Sequence, residues 1–381
     1  MRVPAHPCSG PAGPEHVACT VTVIIKALNE QARIAAAIES ALAAIVGLTG
    51  EVVLADSGSG DRTLEIASAY PIRIVQLLDP LERSCGIGSQ LGFQHSQGDY
   101  LYLMDGDMQL QSGFLPQALS FLAQHPEVAG VGGGLIERNH SNLEYRERTQ
   151  RMAQREPHRV PGPVDRLDGG ALYRRRAIAE VGYLSDRNLH SYEEFDLAAR
   201  LRAQGWKLWR LPADAVSHHG HTAHALRLLW RRWQTGYACG TGELLRASFG
   251  QPWCRLVLRD LQELRLYGAV LVGWLLLALT ALAPWPSSWP AFGRTALLGM
   301  LVMLPVLAMA VRKRSLARGA YAVLSWNVQA AGLLRGLARR RRPPQRAIAS
   351  RIVREPHEAP APVTDATTAA ARPAPPSAQA T

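Results

Sequence analysis

Tyr100-Leu101-Tyr102-Leu103-Met104 is a short apolar run that stops abruptly at Asp105-Gly106-Asp107. A run of this length and composition reads as a buried strand, and the acidic turn marks its carboxyl end. Working upstream, Val21-Thr22-Val23-Ile24-Ile25 and Glu51-Val52-Val53-Leu54-Ala55 have the same character, and residues 72–77 form a third strand. Helical patterns at 31–46, 62–70 and 87–97 separate them. Strands alternating with helices predict an α/β fold with a mostly parallel central sheet covered on both faces. Ligands of such sheets sit beyond the carboxyl ends of the strands. Two acidic loops follow strand ends here, Asp56-Ser57-Gly58-Ser59-Gly60-Asp61 and Asp105-Gly106-Asp107.

The chain has 381 residues and a formal charge of +11, unevenly placed. Through residue 224 there are 21 Lys/Arg against 25 Asp/Glu, and beyond it 21 against 6. A uniformly basic nucleic-acid coat is excluded; the pattern predicts a globular first half and a basic second half that meets an anionic surface. The Arg runs abut apolar segments, which favours a membrane over nucleic acid as the partner. Five scattered cysteines without a Cys-x-x-Cys give no disulfide framework or zinc module. Residues 1–19 read as a flexible leader, without the pattern of a secretory signal.

Residues 225–265 carry Leu, Trp and Arg at helical spacings and read as amphipathic interfacial helices. Residues 267–283 are uncharged and about 26 Å long as a helix, at the short end of a membrane span. A second such run, 295–311, is interrupted by Pro305, and Trp285 and Trp289 lie between the two as interfacial anchors. The expectation is a transmembrane hairpin over 266–311. A basic interfacial helix or marginal third span follows over 312–342, then a disordered Pro/Ala/Thr-rich tail over 343–381. The basic clusters 312–314 and 339–342 place the globular first half, 20–224, on the cytoplasmic side, at the inner membrane if the source is bacterial.

Asp-x-Asp after a strand offers two carboxylates to one hard divalent cation, Mg2+ or Mn2+, which would also take diphosphate oxygens. Asn29 and Asp61 have a simpler reading as caps of the helices that follow them. His218, His219, His221 and His224 form a dense group with the composition of a metal site or of an exposed strand end.

The order of these blocks resembles family 2 glycosyltransferases of the glycosyltransferase-A fold. The carriers are Asn29-Glu30, Asp56-Ser57-Gly58-Ser59-Gly60-Asp61-Arg62-Thr63, Asp105-Gly106-Asp107, Asp168-Gly169-Gly170-Ala171, Glu193-Glu194-Phe195-Asp196-Leu197 and His218-His219, spread over about 20–220. The chain departs from the family pattern at Ala27-Leu28, Ser57, Gln90 and Glu194, the last standing where an Asp is usual. The resemblance implies inverting transfer of a sugar from a nucleotide-diphosphate sugar. It implies that Asp105 and Asp107 hold the metal, and that Asp105 also serves donor binding. Asp56, Asn29 and Glu30 would hold the nucleoside, Gly169 and Gly170 would underlie the donor sugar, and His218 or His219 would meet the diphosphate. Glu194 would be the base, with Glu193 and Asp196 as rivals. Arg231-Arg232-Trp233 is similar to part of the acceptor motif of processive polysaccharide synthases, but Leu229 stands at its Gln position. A single hairpin offers no polymer channel, so the expected acceptor is a lipid or lipid-linked saccharide. Competing readings are a nucleotidyltransferase on a similar fold, and an inactive sugar-nucleotide-binding scaffold.

Overall fold

The computed structural model describes residues 21–138, 159–220, 224–285 and 291–356. The first half alternates as the apolar runs predict. β1 (Val21–Ala27) leads to α1 (Ile34–Ala44), β2 (Gly50–Asp56) to α2 (Thr63–Ala67), and β3 (Arg73–Leu77) to α3 (Cys85–Gln94). β4 (Tyr100–Asp105), β5 (Met108–Leu110), α4 (Phe114–Gln124), β6 (Val128–Glu137) and β7 (Gly162–Val164) follow, then β8 (Ala171–Arg174), α5 (Arg175–Glu180), α6 (Glu193–Ala203) and β9 (Lys207–His218). The helices are shorter than the sequence patterns at 31–46 and 62–70, because α1 starts only after the loop built on Asn29 and Glu30.

With β10 (Ser350–Arg354) at one edge, one ten-stranded sheet runs β10-β3-β2-β1-β4-β8-β6-β9-β5, with β7 on β9. Its parallel block is β3-β2-β1-β4, in which Ala27 pairs with Asp56 and Lys26 with Asp105. β6 and β9 are also parallel, whereas β8 joins β4 and β6 antiparallel. The register puts the ends of β1, β2 and β4, and hence both acidic loops, on one sheet edge. Val21, Val23, Ile25, Ile38, Tyr102 and Leu172 build the core on one face, and Ile24, Leu101, Tyr173 and Leu197 build it on the other. Alternate residues of a strand point to opposite faces, so a two-sided core requires the near-continuous apolar runs seen in β1 and β4.

The second half is helical: α7 (Ala225–Gln234), α8 (Gly240–Ser248), α9 (Cys254–Asp260), α10 (Glu263–Leu282), α11 (Ala291–Lys313) and α12 (Leu316–Ala338). Over 225–265, where amphipathic helices were expected, α7 exposes Leu226 and Trp230 and buries Leu228 and Leu229. α8 is packed into the protein instead, with Thr241, Glu243, Leu244 and Ala247 buried. The cause is α12. Gly332 and Gly336 let it lie directly on the turn before α8, so that a Cβ at Gly332 would come 2.1 Å from the Ala238 oxygen.

α10 and α11 are long and apolar enough to cross a membrane, and few of their residues are fully buried within the protein. α11 continues through Pro305, which is tolerated in membrane helices. α12 does not meet the same length-and-apolarity test among the described residues. It is held at several points instead: Tyr321 donates to the Ala225 oxygen, Trp274 Nε1 donates to Asn327 Oδ1 at 2.6 Å, and Arg335 donates to the Trp233 oxygen while stacking on that ring.

The segment after α12 departs from expectation. Ser350–Arg354 form β10, antiparallel to β3, where a disordered tail was expected. Ile348 is buried with Val53, Val75 and Leu91. An open sheet edge presents unpaired backbone groups, and a short Ile-Val segment covers this one. Composition averaged over the Pro-rich tail hides that segment. The basic run 339–342 is likewise turned inward: Arg339 pairs with Glu243 at 3.4 Å, Arg341 with Asp186 at 3.0 Å, and Arg342 with Glu82. Residues 1–19, Trp289, His221 and residues 357–381 lie outside the described residues.

Candidate active site

The acidic loops are built by backbone geometry. Gly106 N–H donates to the Lys26 oxygen and Ser57 N–H to the Ala27 oxygen, so both loops leave the sheet tied to the end of β1. Gly106 is required by proximity, since a Cβ there would lie 2.9 Å from Glu30 Cγ. Asp105, Asp107 and Glu30 are thereby brought together. Burial, reinforced by Asp107, Asp105 and Asp61, pushes the Glu30 carboxyl up to about 8, with Arg231 of α7 pulling the other way. Glu30 therefore belongs electrostatically to the Asp-x-Asp cluster.

Asp56 is fully buried, and its carboxylate accepts from Gly58 N, Ser59 N, Ser59 Oγ and Gln76 Nε2. It organises the loop that surrounds it. Asn29 adopts φ 59 and crosses to the same loop: its Oδ1 accepts from Gly60 N and its N–H donates to Ser59 Oγ, both at 2.8 Å. It does not cap α1, which starts at Ile34 without a side-chain cap. Asp61 does hold the start of α2, accepting from Thr63 N and Thr63 Oγ1.

The two histidines differ. His218 ends β9 with Nε2 at 3.4 Å from Asp107 Oδ2 and Nδ1 at 2.8 Å from Glu137 Oε2. Burial works against its charge, but the bonds to Asp107 and Glu137 raise its pKa to about 9. His219 meets the site through its backbone, donating to the Asp107 oxygen at 3.0 Å. Burial, together with Arg33 and Arg138, lowers its pKa. His224 sits at the start of α7, apart from this pair.

On the opposite wall, Tyr192 at φ 67 turns the chain into α6 and sets Glu193 and Glu194 in its first turn, where the helix dipole favours carboxylates. Glu193 is buried against Lys26 Nζ at 2.7 Å. Lys26 also reaches Asp105 at 3.1 Å and Glu194 at 3.8 Å. Burial opposes the Lys26 charge, but these carboxylates outweigh it and raise its pKa. Glu194 keeps a side chain 31% exposed. Burial and the adjacent Glu193 push its carboxyl up to about 8. Asp196 is fully buried and paired with Arg200 at 2.8 Å, whose guanidinium also holds the Tyr183 and Leu184 oxygens. Of the three acids, Glu194 faces the cleft, Glu193 is engaged by Lys26, and Asp196 is a structural ion pair.

The cleft between the walls is lined by Lys26, Asp105, Asp168, Gly169, Glu193 and Glu194. Gly169 and Gly170 make the turn before β8, where Gly170 N–H donates to the Leu103 oxygen. Asp168 is paired with Arg210 at 3.1 Å and Arg159 at 3.4 Å. Gln90 accepts from Leu184 N and Ser185 N, fixing the loop ahead of α6.

Sequence reasoning missed Lys26 and Glu137. A lone lysine in an otherwise apolar strand was the available signal for the first, and a carboxylate closing the Gly-rich strand β6 for the second. Among the described residues no three His, Cys, Asp or Glu side chains converge into a complete metal cage. The donor set nevertheless suits a cation shared with a substrate. Asp105 Oδ1 is buried and faces only the Lys26 ammonium at 3.1 Å, Asp107 is adjacent, and Mg2+-type ions commonly take one or two carboxylates plus phosphate oxygens.

Residues 22–182 match the family described as Glycosyl transferase family 2. An undecaprenyl-phosphate 4-deoxy-4-formamido-L-arabinose transferase of Pectobacterium carotovorum is 34% identical over 119 residues, 29% of this chain and 36% of that one. A dolichol-phosphate mannosyltransferase of Pyrococcus furiosus is 28% identical over 31% of this chain and 35% of its own. The matches thus span about a third of each of these relatives. The solved mannosyltransferase PcManGT of Pyrobaculum calidifontis, in complex with GDP-Man and Mn2+, superposes with a TM-score of 0.55 at 17% identity, covering 84% of this chain and 87% of that one. Residues 22–182 therefore constitute a glycosyl transferase family 2 domain on the glycosyltransferase-A fold, followed by a helical region with two helices of membrane-spanning length.

Proposed function

We propose that this protein is a membrane-anchored, inverting glycosyltransferase. It moves a sugar from a nucleotide-diphosphate sugar to a lipid or lipid-linked saccharide. The observation that carries the reading is the convergence of Asp105, Asp107 and His218 on one sheet edge with Glu194 across the cleft. Asp105 and Asp107 are the groups that would hold Mg2+ or Mn2+, and the bound cation supplies charge compensation for a departing diphosphate. His218, fixed by Glu137, directs its Nε2 toward the same edge. The carboxylates lining the cleft favour positive charge developing at the anomeric carbon. Glu194 is placed to take a proton from an acceptor hydroxyl on the opposite wall.

The acceptor class is supported by two features. α10 and α11 leave part of their apolar surface exposed, including Leu275, Leu279, Leu304 and Leu307, and the named relatives are transferases to polyprenyl or dolichyl phosphates. α10 and α11 form the anchor, with the catalytic domain at the cytoplasmic face.

The test incubates membranes containing the protein with labelled nucleotide sugars and Mg2+ or Mn2+. The label is then followed into lipid extract, polymer and water-soluble product. Label entering the lipid extract, dependent on the metal, is expected. Release of pyrophosphate in place of a nucleoside diphosphate would replace this reading with nucleotidyl transfer.

A further inference from the structure

Lys26 is the centre of the acidic cleft, and no step assigned above uses it. It lies on β1 between the two walls, its side chain 20% exposed. Its ammonium contacts Glu193 at 2.7 Å, Asp105 at 3.1 Å and Glu194 at 3.8 Å. Its own carbonyl receives the Gly106 N–H. Its stem is confined by α3, since a Cβ at Gly88 would lie 2.9 Å from Lys26 Cβ. Three carboxylates within 3.8 Å hold the ammonium where it is.

We propose that Lys26 is a positioning residue that ties the Asp105 edge of the sheet to the start of α6, and whose fixed charge holds down the affinity of that edge for a divalent cation. The inference rests on the functional reading above and extends it. An ammonium in contact with Asp105 competes with any cation for the same oxygen, and repels it. The same ammonium engages Glu193 and so leaves Glu194 as the carboxylate open to the cleft. A site arranged in this way exchanges its metal readily, and it keeps the acceptor wall at a set distance from the donor wall.

A purely structural lysine and a charge-setting one make opposite predictions. If Lys26 merely braces the fold, its loss loosens the cleft and weakens metal binding and turnover together. If it acts as proposed, Lys26→Met tightens Mn2+ binding while turnover falls.

The experiment uses the full chain in detergent. Mn2+ alone is titrated and the free ion is followed by electron paramagnetic resonance; sugar transfer is measured in parallel. Lys26→Met is expected to bind Mn2+ about tenfold more tightly, from removal of one neighbouring positive charge. Its turnover should fall about a hundredfold, with the donor KM little changed, as for a displaced catalytic group. Lys26→Arg should return Mn2+ affinity to the wild-type level and recover part of the turnover. If Lys26→Met fails to fold, Lys26→Met/Glu193→Gln is compared with Glu193→Gln alone; the same tightening is expected across that pair. Unchanged or weaker Mn2+ binding, or wild-type turnover, overturns the proposal. An Asp105→Ala/Asp107→Ala control separates the two claims. If that variant binds Mn2+ as wild type does, the functional reading itself fails, and the role of Lys26 with it.

Discussion

His218 stands between two carboxylates, with Nε2 3.4 Å from Asp107 and Nδ1 2.8 Å from Glu137. Glu137 is almost wholly buried and ends β6, and β6 pairs in parallel with the β9 strand that carries His218. The imidazole is thus oriented from behind by a residue remote from the cleft. Glu137→Gln keeps the shape and removes the charge, so transfer should slow about tenfold to a hundredfold, as for other groups that orient a ligand side chain. Steady-state assays check this, with circular dichroism confirming the fold.

Asp107 and Glu194 distinguish acceptor classes. Asp107→Ala should abolish transfer whichever acceptor is used. Glu194→Ala should lower it by about a thousandfold when the acceptor is a hydroxyl that must lose a proton. A lipid phosphate is already anionic, and with such an acceptor Glu194→Ala retains most activity. Parallel assays of both variants in membranes decide between the two.

Asp196 and Glu194 lie two positions apart in different surroundings, the first fully buried in an ion pair and the second partly exposed. Asp196→Ala leaves Arg200 buried and uncompensated beneath Tyr183. The expected cost is about 3–5 kcal/mol of stability. Glu194→Gln should leave thermal stability near that of wild type. Melting curves in detergent test the contrast, which reverses if Asp196 is the base and Glu194 the brace.

Ile348 anchors the returning C-terminal segment against Val53, Val75 and Leu91. Ile348→Ala should cost about 2–5 kcal/mol. Limited proteolysis should then cut within residues 343–356 first, because β10 is an edge strand paired in the sheet on one side only.

The parallel block and its acidic loops were legible because apolar runs followed by Asp-Gly turns state both the strand and its end. Asp105, Asp107 and His218 were brought together as their order suggested. The hydrogen bonding of Asp56 was not legible, because part of it comes from Gln76, which lies two strands from β1 and carries no motif. Lys26 was hidden for a related reason: its significance comes from carboxylates about 80 and 170 positions away, joined only by the β1–β4 register and by the placement of α6. The inward turn of 339–342 was also out of reach, since a basic run beside apolar helices has the same composition whether it meets lipid or Glu82, Asp186 and Glu243.

β10 closes the edge of the catalytic sheet with residues synthesised after both membrane-length helices. On the ribosome, β3 must wait with an open edge until α10 and α11 have been made. The sheet is thus closed by joining the two ends of the fold, and the proposed membrane anchor is compatible with that closure only where α10 and α11 bring the chain back to the side from which it departed.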